Sequence, residues 1–95
     1  MSAVNLSEAV SKLTERGVAV SDIDATIHDA DLTVVAFDII LARAAGLLRS
    51  ATRGIGASFA DRACLALAVA RGATAVTADR AWQRLDIGIK IELIR

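Results

Sequence analysis

The sequence contains no proline and no tyrosine, and it has only one cysteine, one tryptophan and two phenylalanines among its 95 residues. A single cysteine, Cys64, excludes an intramolecular disulfide framework and a cysteine-based metal site. No apolar stretch approaches the ~18 residues that a membrane span requires, and no signal peptide precedes the first predicted helix, so we expect a cytoplasmic protein. No glycine-rich strand–loop–helix motif is present, which disfavours a receiver-like or nucleotide-binding α/β domain.

Neither sign of charge is in excess, because eleven basic and eleven acidic residues cancel. That balance argues against a protein that coats nucleic acid nonspecifically, since such coating needs many phosphate contacts. The arginines are nevertheless unevenly distributed. Residues 41–60 contain three of them, including Arg49 and Arg53, and no acidic residue, while Arg62 directly follows Asp61. This basic segment is either a solvated helix end and loop or an anion-binding surface.

Hydrophobic residues are abundant, at 55% of the chain. This content favours buried parallel strands with helices packed on both faces, or an oligomer that covers part of its surface. The alternation of helical and strand patterns predicts one α/β domain over residues 1–95, with a three-layer α/β/α arrangement around a parallel sheet.

Local signals predict four helices, which begin after the capping residues Asn5, Ser21, Asp38 and Ser58 and end near residues 17, 30, 49 and 72. We predict strands over residues 32–37, 74–77 and 89–93, a loop over residues 50–57, and a short helix over residues 79–84. Cys64 is predicted to be a small buried hydrophobe, Trp82 a packing anchor and His28 a solvated residue. The predicted core consists of Leu6, Val10, Leu13, Ile39, Ile40, Leu47, Leu65, Leu67, Val69, Val76, Ile89 and Ile91.

Three acidic residues, Glu8, Asp61 and Asp79, lie near predicted helix starts. Ligands of open parallel sheets bind outside the carboxyl ends of the strands, where the following helices begin. Oxygen ligands without a nearby cysteine or histidine favour hard ions such as Mg²⁺ or Mn²⁺, which support phosphodiester hydrolysis. Asn5 and Glu8, like Ser58 and Asp61, have capping-box spacing, so the alternative is that these acids serve only to accept hydrogen bonds from backbone amides.

Four segments combine into a recognisable pattern, in both order and spacing, over nearly the whole chain. They are Ser2-Ala-Val-Asn-Leu-Ser-Glu-Ala-Val10, Ser58-Phe-Ala-Asp-Arg-Ala-Cys-Leu-Ala-Leu-Ala68, Thr77-Ala-Asp-Arg-Ala-Trp82 and Leu85-Asp-Ile-Gly-Ile-Lys-Ile-Glu-Leu93. The pattern resembles PIN domains, and most closely the VapC-type toxins of bacterial toxin–antitoxin pairs. The resemblance implies a ribonuclease in which Glu8, Asp61 and Asp79 hold Mg²⁺ or Mn²⁺ and act in catalysis. It also implies that Thr77 supports the site by hydrogen bonding near Asp79.

The same resemblance implies RNA as substrate and a cognate antitoxin as partner, and we expect Arg53 or Arg62 to orient the RNA phosphate. PIN domains open with a strand that ends in an aspartate, and this strand and the helix after it have no counterpart here. We therefore expect an N-terminally incomplete PIN-like sheet, weak ribonuclease activity, and a homo-oligomer formed through open strand edges. The alternative is a noncatalytic remnant that binds a protein partner or oligomerises.

Overall fold

A computed structural model describes residues 1–94, a mixture of helices and short strands. The α-helices in this part of the chain are α1 (Ala3–Glu15), α2 (Val20–Ala30), α3 (Ile39–Thr52) and α4 (Phe59–Arg71). Two 3₁₀ helices (Arg53–Ile55 and Arg80–Arg84) and two strands, β1 (Ala75–Thr77) and β2 (Ile91–Leu93), complete the set. Within these residues no helix has both the length and the apolar character that crossing a bilayer demands.

The ends of α3 and α4 follow the predicted capping chemistry. Asp38 Oδ1 accepts a hydrogen bond from the Leu41 amide at 2.9 Å and so caps α3. Ser58 caps α4, and Gly72 ends it in a left-handed conformation (φ 58°) that glycine adopts without steric penalty. The predicted end of α3 near residue 49 was too early, because the helix continues to Thr52 and passes directly into the Arg53–Ile55 turn.

The predicted starts of α1 and α2 were wrong. Ser2, not Asn5, caps α1, because its side chain accepts a hydrogen bond from the Val4 amide at 3.2 Å. Asn5 is instead used in a tertiary contact, where its side-chain amide donates to the Ala60 carbonyl. The residue that caps α2 is Ala19, which offers no side-chain acceptor, so Ser21 lies inside the helix.

The sheet in the described residues is small and parallel. Strands β1 and β2 pair with Ala75 opposite Ile91 and Thr77 opposite Leu93. The predicted strand over residues 32–37 is reduced to one parallel bridge between Ser2 and Val35. A strand persists only where neighbouring backbone pairs with it, and here the chain enters α1 immediately after Ser2. A mixed α/β fold with a parallel sheet is thus confirmed, while the three-layer arrangement stays a prediction.

The main core cluster contains Leu65 and Ala68 of α4, Ala75 of β1 and Trp82. Trp82 is only 5% exposed, so its predicted role as a packing anchor is confirmed. Leu65 is the one predicted core residue that is fully buried. Six others are half-buried: Leu6, Val10, Leu13, Leu67, Ile89 and Ile91. Five were wrong, because they are exposed: Ile39, Ile40, Leu47, Val69 and Val76.

The orientation of α3 explains most of these errors. This helix packs against α4 through a face that carries its three buried residues, Leu41, Ala45 and Thr52. Successive residues of a helix are 100° apart around its axis. Ile39, Ile40 and Leu47 therefore lie on the side of α3 that faces away from α4. In α4 most of the buried positions are alanines, which let neighbouring elements approach closely. The core is therefore built from small side chains around Leu65 and Trp82.

Candidate functional site

Asp61 lies in the first turn of α4 and takes part in a complete capping box. Its Oδ2 accepts a hydrogen bond from the Ser58 amide at 3.0 Å, and its own amide donates to Ser58 Oγ at 3.1 Å. The capping interpretation of Asp61 is therefore confirmed. It does not exclude a second role, because a carboxylate has about four lone-pair sites and only one of them is used by Ser58.

Asp79 follows β1 and caps the 3₁₀ helix Arg80–Arg84. Its Oδ1 accepts a hydrogen bond from the Ala81 amide at 2.9 Å, while its own amide donates to Thr77 Oγ1 at 3.0 Å. Thr77 and Asp79 are thus connected at the end of the strand, as a supporting role for Thr77 requires. The Asp79 side chain is exposed, so its second oxygen is accessible to solvent or to a cation.

Glu8 lies in the second turn of α1, not at its start, because the helix begins at Ala3. The capping-box interpretation of Asn5 and Glu8 was accordingly wrong. Asn5 donates instead to the Ala60 carbonyl at 3.1 Å and joins the first part of α1 to the first turn of α4. Glu8, three residues after Asn5, is on the same side of α1, and Asp61 is the residue after Ala60. This contact therefore brings the two acid-bearing helix segments together.

The predicted convergence of Glu8, Asp61 and Asp79 is not seen. Among residues 1–94, no three acidic, histidine or cysteine side chains are close enough to share a metal ion. Three carboxylates repel one another without a cation between them, and local backbone donors hold two of these three. Their chemistry nevertheless suits a hard divalent ion, since all three supply carboxylate oxygens. That Glu8, Asp61 and Asp79 hold such an ion stays a prediction.

The two predicted phosphate contacts, Arg53 and Arg62, line one cavity of about 190 Å³ between the end of α3 and the start of α4. Arg49 and Thr52 line it as well, and sequence reasoning had given Thr52 no role. A polar residue in a mainly apolar helix, directly before Arg53, was the signal that could have identified it. Arg62 Nη1 donates to the Ala57 carbonyl at 3.2 Å, which holds the guanidinium against the loop.

Cys64 and His28 take no part in the site. Burial, and to a lesser extent the negative charge of Asp61, raise the pKa of the Cys64 thiol, while the N-terminal ammonium opposes this shift. The thiol therefore stays neutral at physiological pH, which makes it a poor nucleophile and a poor metal ligand. Cys64 packs against the core cluster, as a small hydrophobe does. His28 is 90% exposed, so its predicted solvated position is confirmed.

Comparison with known proteins supplies the family. The model of the PIN domain matches residues 1–88, which is most of the chain. Searches of curated proteins and of solved structures gave no significant match. PIN domains are generally nucleases, and they usually bind divalent metal ions. The match includes the capped start of α4 with Asp61 and the turn that carries Thr77 and Asp79. The chain therefore belongs to the PIN domain family.

Proposed function

We propose that this protein is a Mg²⁺-dependent endoribonuclease of the VapC toxin type, with a cognate antitoxin as its protein partner. The observation that carries the proposal is the PIN match over residues 1–88, which includes all three candidate acids. Glu8, Asp61 and Asp79 are the proposed metal-binding and catalytic residues, and Mn²⁺ would substitute for Mg²⁺ because both ions accept carboxylate ligands.

The chain's own residues have distinct tasks in this proposal. The capping box fixes the Asp61 side chain at the start of α4, and Thr77 positions the backbone from which Asp79 extends. The Asn5–Ala60 hydrogen bond holds α1, and with it Glu8, against the same end of α4. A bound divalent ion would supply charge neutralisation at the scissile phosphate and an activated water molecule. Arg53 and Arg62 would orient the RNA through charged hydrogen bonds to phosphate.

Replacement of Glu8 by Gln or of Asp79 by Asn should lower RNA cleavage at least about tenfold. Mutation of a residue that only hydrogen-bonds to a metal ligand already has an effect of this size. Asn caps a helix as well as Asp does, so the Asp79 variant should fold normally. Cleavage of a labelled RNA by excess protein, with Mg²⁺ or Mn²⁺ and with EDTA, measures the effect. Glu15→Gln and Asp86→Asn are the matched controls, because both side chains are exposed. Cleavage that survives EDTA, or equal losses in the controls, would disprove the metal-site proposal.

One structural observation favours a second candidate function, self-association. In β1, the Ala75 amide and the Thr77 carbonyl form hydrogen bonds on the side of β2. The amide and carbonyl of Val76 therefore point to the other edge of the strand. That edge lines a cavity of about 540 Å³, and Met1 and Val35 line it as well. An open strand edge accepts extended backbone from another chain. We propose that a second copy of this chain occupies it.

The exposed face of α3 supports the same proposal. Ile39, Ile40 and Leu47 are 85%, 73% and 62% exposed on one side of α3, and large apolar side chains exposed together on one helix suit a protein interface. We expect the purified protein to be a dimer or larger at micromolar concentration, and Ile40→Lys to shift it toward monomer. Light scattering after size-exclusion chromatography measures this. Val20→Lys is the control, because Val20 is also 73% exposed but lies on α2. A parent protein that is monomeric at 100-fold higher concentration would refute self-association.

A further inference from the structure

The cavity between α3 and α4 has the composition of an anion-binding site. The last turn of α3, the Arg53–Ile55 turn and the start of α4 enclose about 190 Å³. A water molecule occupies roughly 30 Å³ of liquid, so the cavity has room for roughly six waters, or for one phosphate group. The lining residues are Arg49, Thr52, Arg53, Gly56, Ala57 and Arg62.

The charge of this cavity is unbalanced. Three arginines line it, and no acidic residue is among the lining residues. Within residues 1–94, His28 and Asp29 form the only ion pair, so no carboxylate neutralises any of the three arginines. Like charges that approach one another repel unless an anion lies between them. The arrangement is stabilised when an anion binds.

Arg62 provides a second, independent indication. Its Nη1 is used by the Ala57 carbonyl, whereas its Nε is buried and has no hydrogen-bond acceptor among the described residues. A buried charged donor without an acceptor is costly, and native structures rarely leave one unsatisfied. Thr52, only 2% exposed, donates its hydroxyl to the Leu48 carbonyl at 2.8 Å, so the arginines are the side chains that remain to donate to an anion.

We propose that this cavity binds a non-scissile backbone phosphate of RNA, with Arg49, Arg53 and Arg62 as its ligands. The planar fork of a guanidinium matches phosphate oxygens better than any other side chain does. Since no acid lines the cavity, the phosphate bound there is separate from the one at Glu8, Asp61 and Asp79. Arg62 follows Asp61 in the chain, so the cavity lies next to one of the three proposed metal ligands. The inference rests on the proposed ribonuclease function and adds that the substrate must extend beyond the cleaved bond.

Binding of a fluorescent 12-nucleotide single-stranded RNA in EDTA tests the proposal without any contribution from catalysis. Arg49→Gln with Arg53→Gln should raise the Kd at least tenfold. It should also reduce the slope of log K against log salt by about 0.7, the contribution of one neutralised phosphate on a single strand. Arg16→Gln with Arg84→Gln is the control for net charge, because these arginines are exposed and do not line the cavity. Inorganic phosphate should compete with RNA for the parent protein and for the control variant, but not for Arg49→Gln with Arg53→Gln.

The possible outcomes separate this proposal from the nuclease proposal. Equal losses in both double variants would show a general charge effect and overturn it, as would unchanged RNA binding in Arg49→Gln with Arg53→Gln. Unchanged RNA binding together with lost binding of an acidic peptide would show a protein ligand and would also overturn it. Binding of inorganic phosphate by a protein that does not bind RNA would assign the cavity to a free phosphate and would overturn the proposal. Specific RNA binding without EDTA-sensitive cleavage would leave the phosphate site in place and refute the nuclease.

Discussion

Asp61→Asn is expected to lower metal-dependent RNA cleavage about 100-fold while reducing the free energy of unfolding by less than about 1 kcal/mol. The substitution removes a negative charge from the proposed metal site, and ligand charge sets the affinity for hard cations. Displacement of the reacting groups by about 1 Å is enough for an effect of this size. The amide oxygen can still accept the Ser58 hydrogen bond, since capping boxes use Gln as well as Glu. The lost charge at the helix start accounts for the small change in stability.

Asp61→Ala separates the two roles of this residue. It should lose cleavage to the same extent as Asp61→Asn, and it should lose about 1 kcal/mol more stability because the capping interaction disappears. Single-turnover cleavage rates with Mg²⁺, together with urea denaturation followed by circular dichroism, measure both quantities. If Asp61→Asn cleaves at the parent rate and only Asp61→Ala is impaired, Asp61 is a helix cap without a catalytic role.

Trp82→Ala is expected to destabilise the protein by about 3–5 kcal/mol, the largest effect on stability that we predict for one side chain. Trp82 is 5% exposed and packs with Leu65, Ala68 and Ala75, so its removal leaves a cavity in the centre of the core. A domain of 95 residues has a total stability of roughly 5–14 kcal/mol. The melting temperature should fall by at least about 12 °C.

Circular dichroism is the appropriate probe for this variant, because Trp82 is the only tryptophan and its fluorescence is lost with it. Gln83→Ala is the matched control, since Gln83 is the exposed neighbour in the same 3₁₀ helix and its loss should change stability by less than about 0.5 kcal/mol. A melting temperature for Trp82→Ala within 2–3 °C of that of the control would contradict the assigned role of this side chain; this margin corresponds to about 0.5 kcal/mol.

The features that could be predicted from the sequence are those determined within a few residues. Ser58 and Asp61 form a capping box, and Gly72 adopts the left-handed turn that ends α4, because both signals are local. Asp38 at the start of α3 and the strand before Asp79 follow the same logic. Ser58, Asp61 and Asp79 also belong to the motifs that carried the family resemblance, and the match confirms the PIN domain while the VapC type stays a prediction.

The features that could not be predicted depend on partners distant in sequence. The run over residues 32–37 has strand-forming side chains, but a strand also needs neighbouring backbone, and within residues 1–94 the short segment 1–3 is what pairs with it. Asn5 and Ala60 are 55 positions apart, so no local pattern announces their hydrogen bond. The core prediction favoured large residues, whereas α4 buries mainly alanines and turns the large residues of α3 outward. Whether Glu8, Asp61 and Asp79 come together is decided by tertiary contacts of this kind, which no local pattern reveals.

The location of the core has a consequence for how the protein opens. All members of the core cluster, and the side chains packed against it, come from residues 48–91. By contrast, α1 has no fully buried residue and α2 has only Ile23. Elements with so few buried contacts open locally at a lower free energy than the rest of a domain. We therefore expect the two N-terminal helices to open more readily than the rest of the domain, so that Glu8 would separate from Asp61 and Asp79 in such an opening.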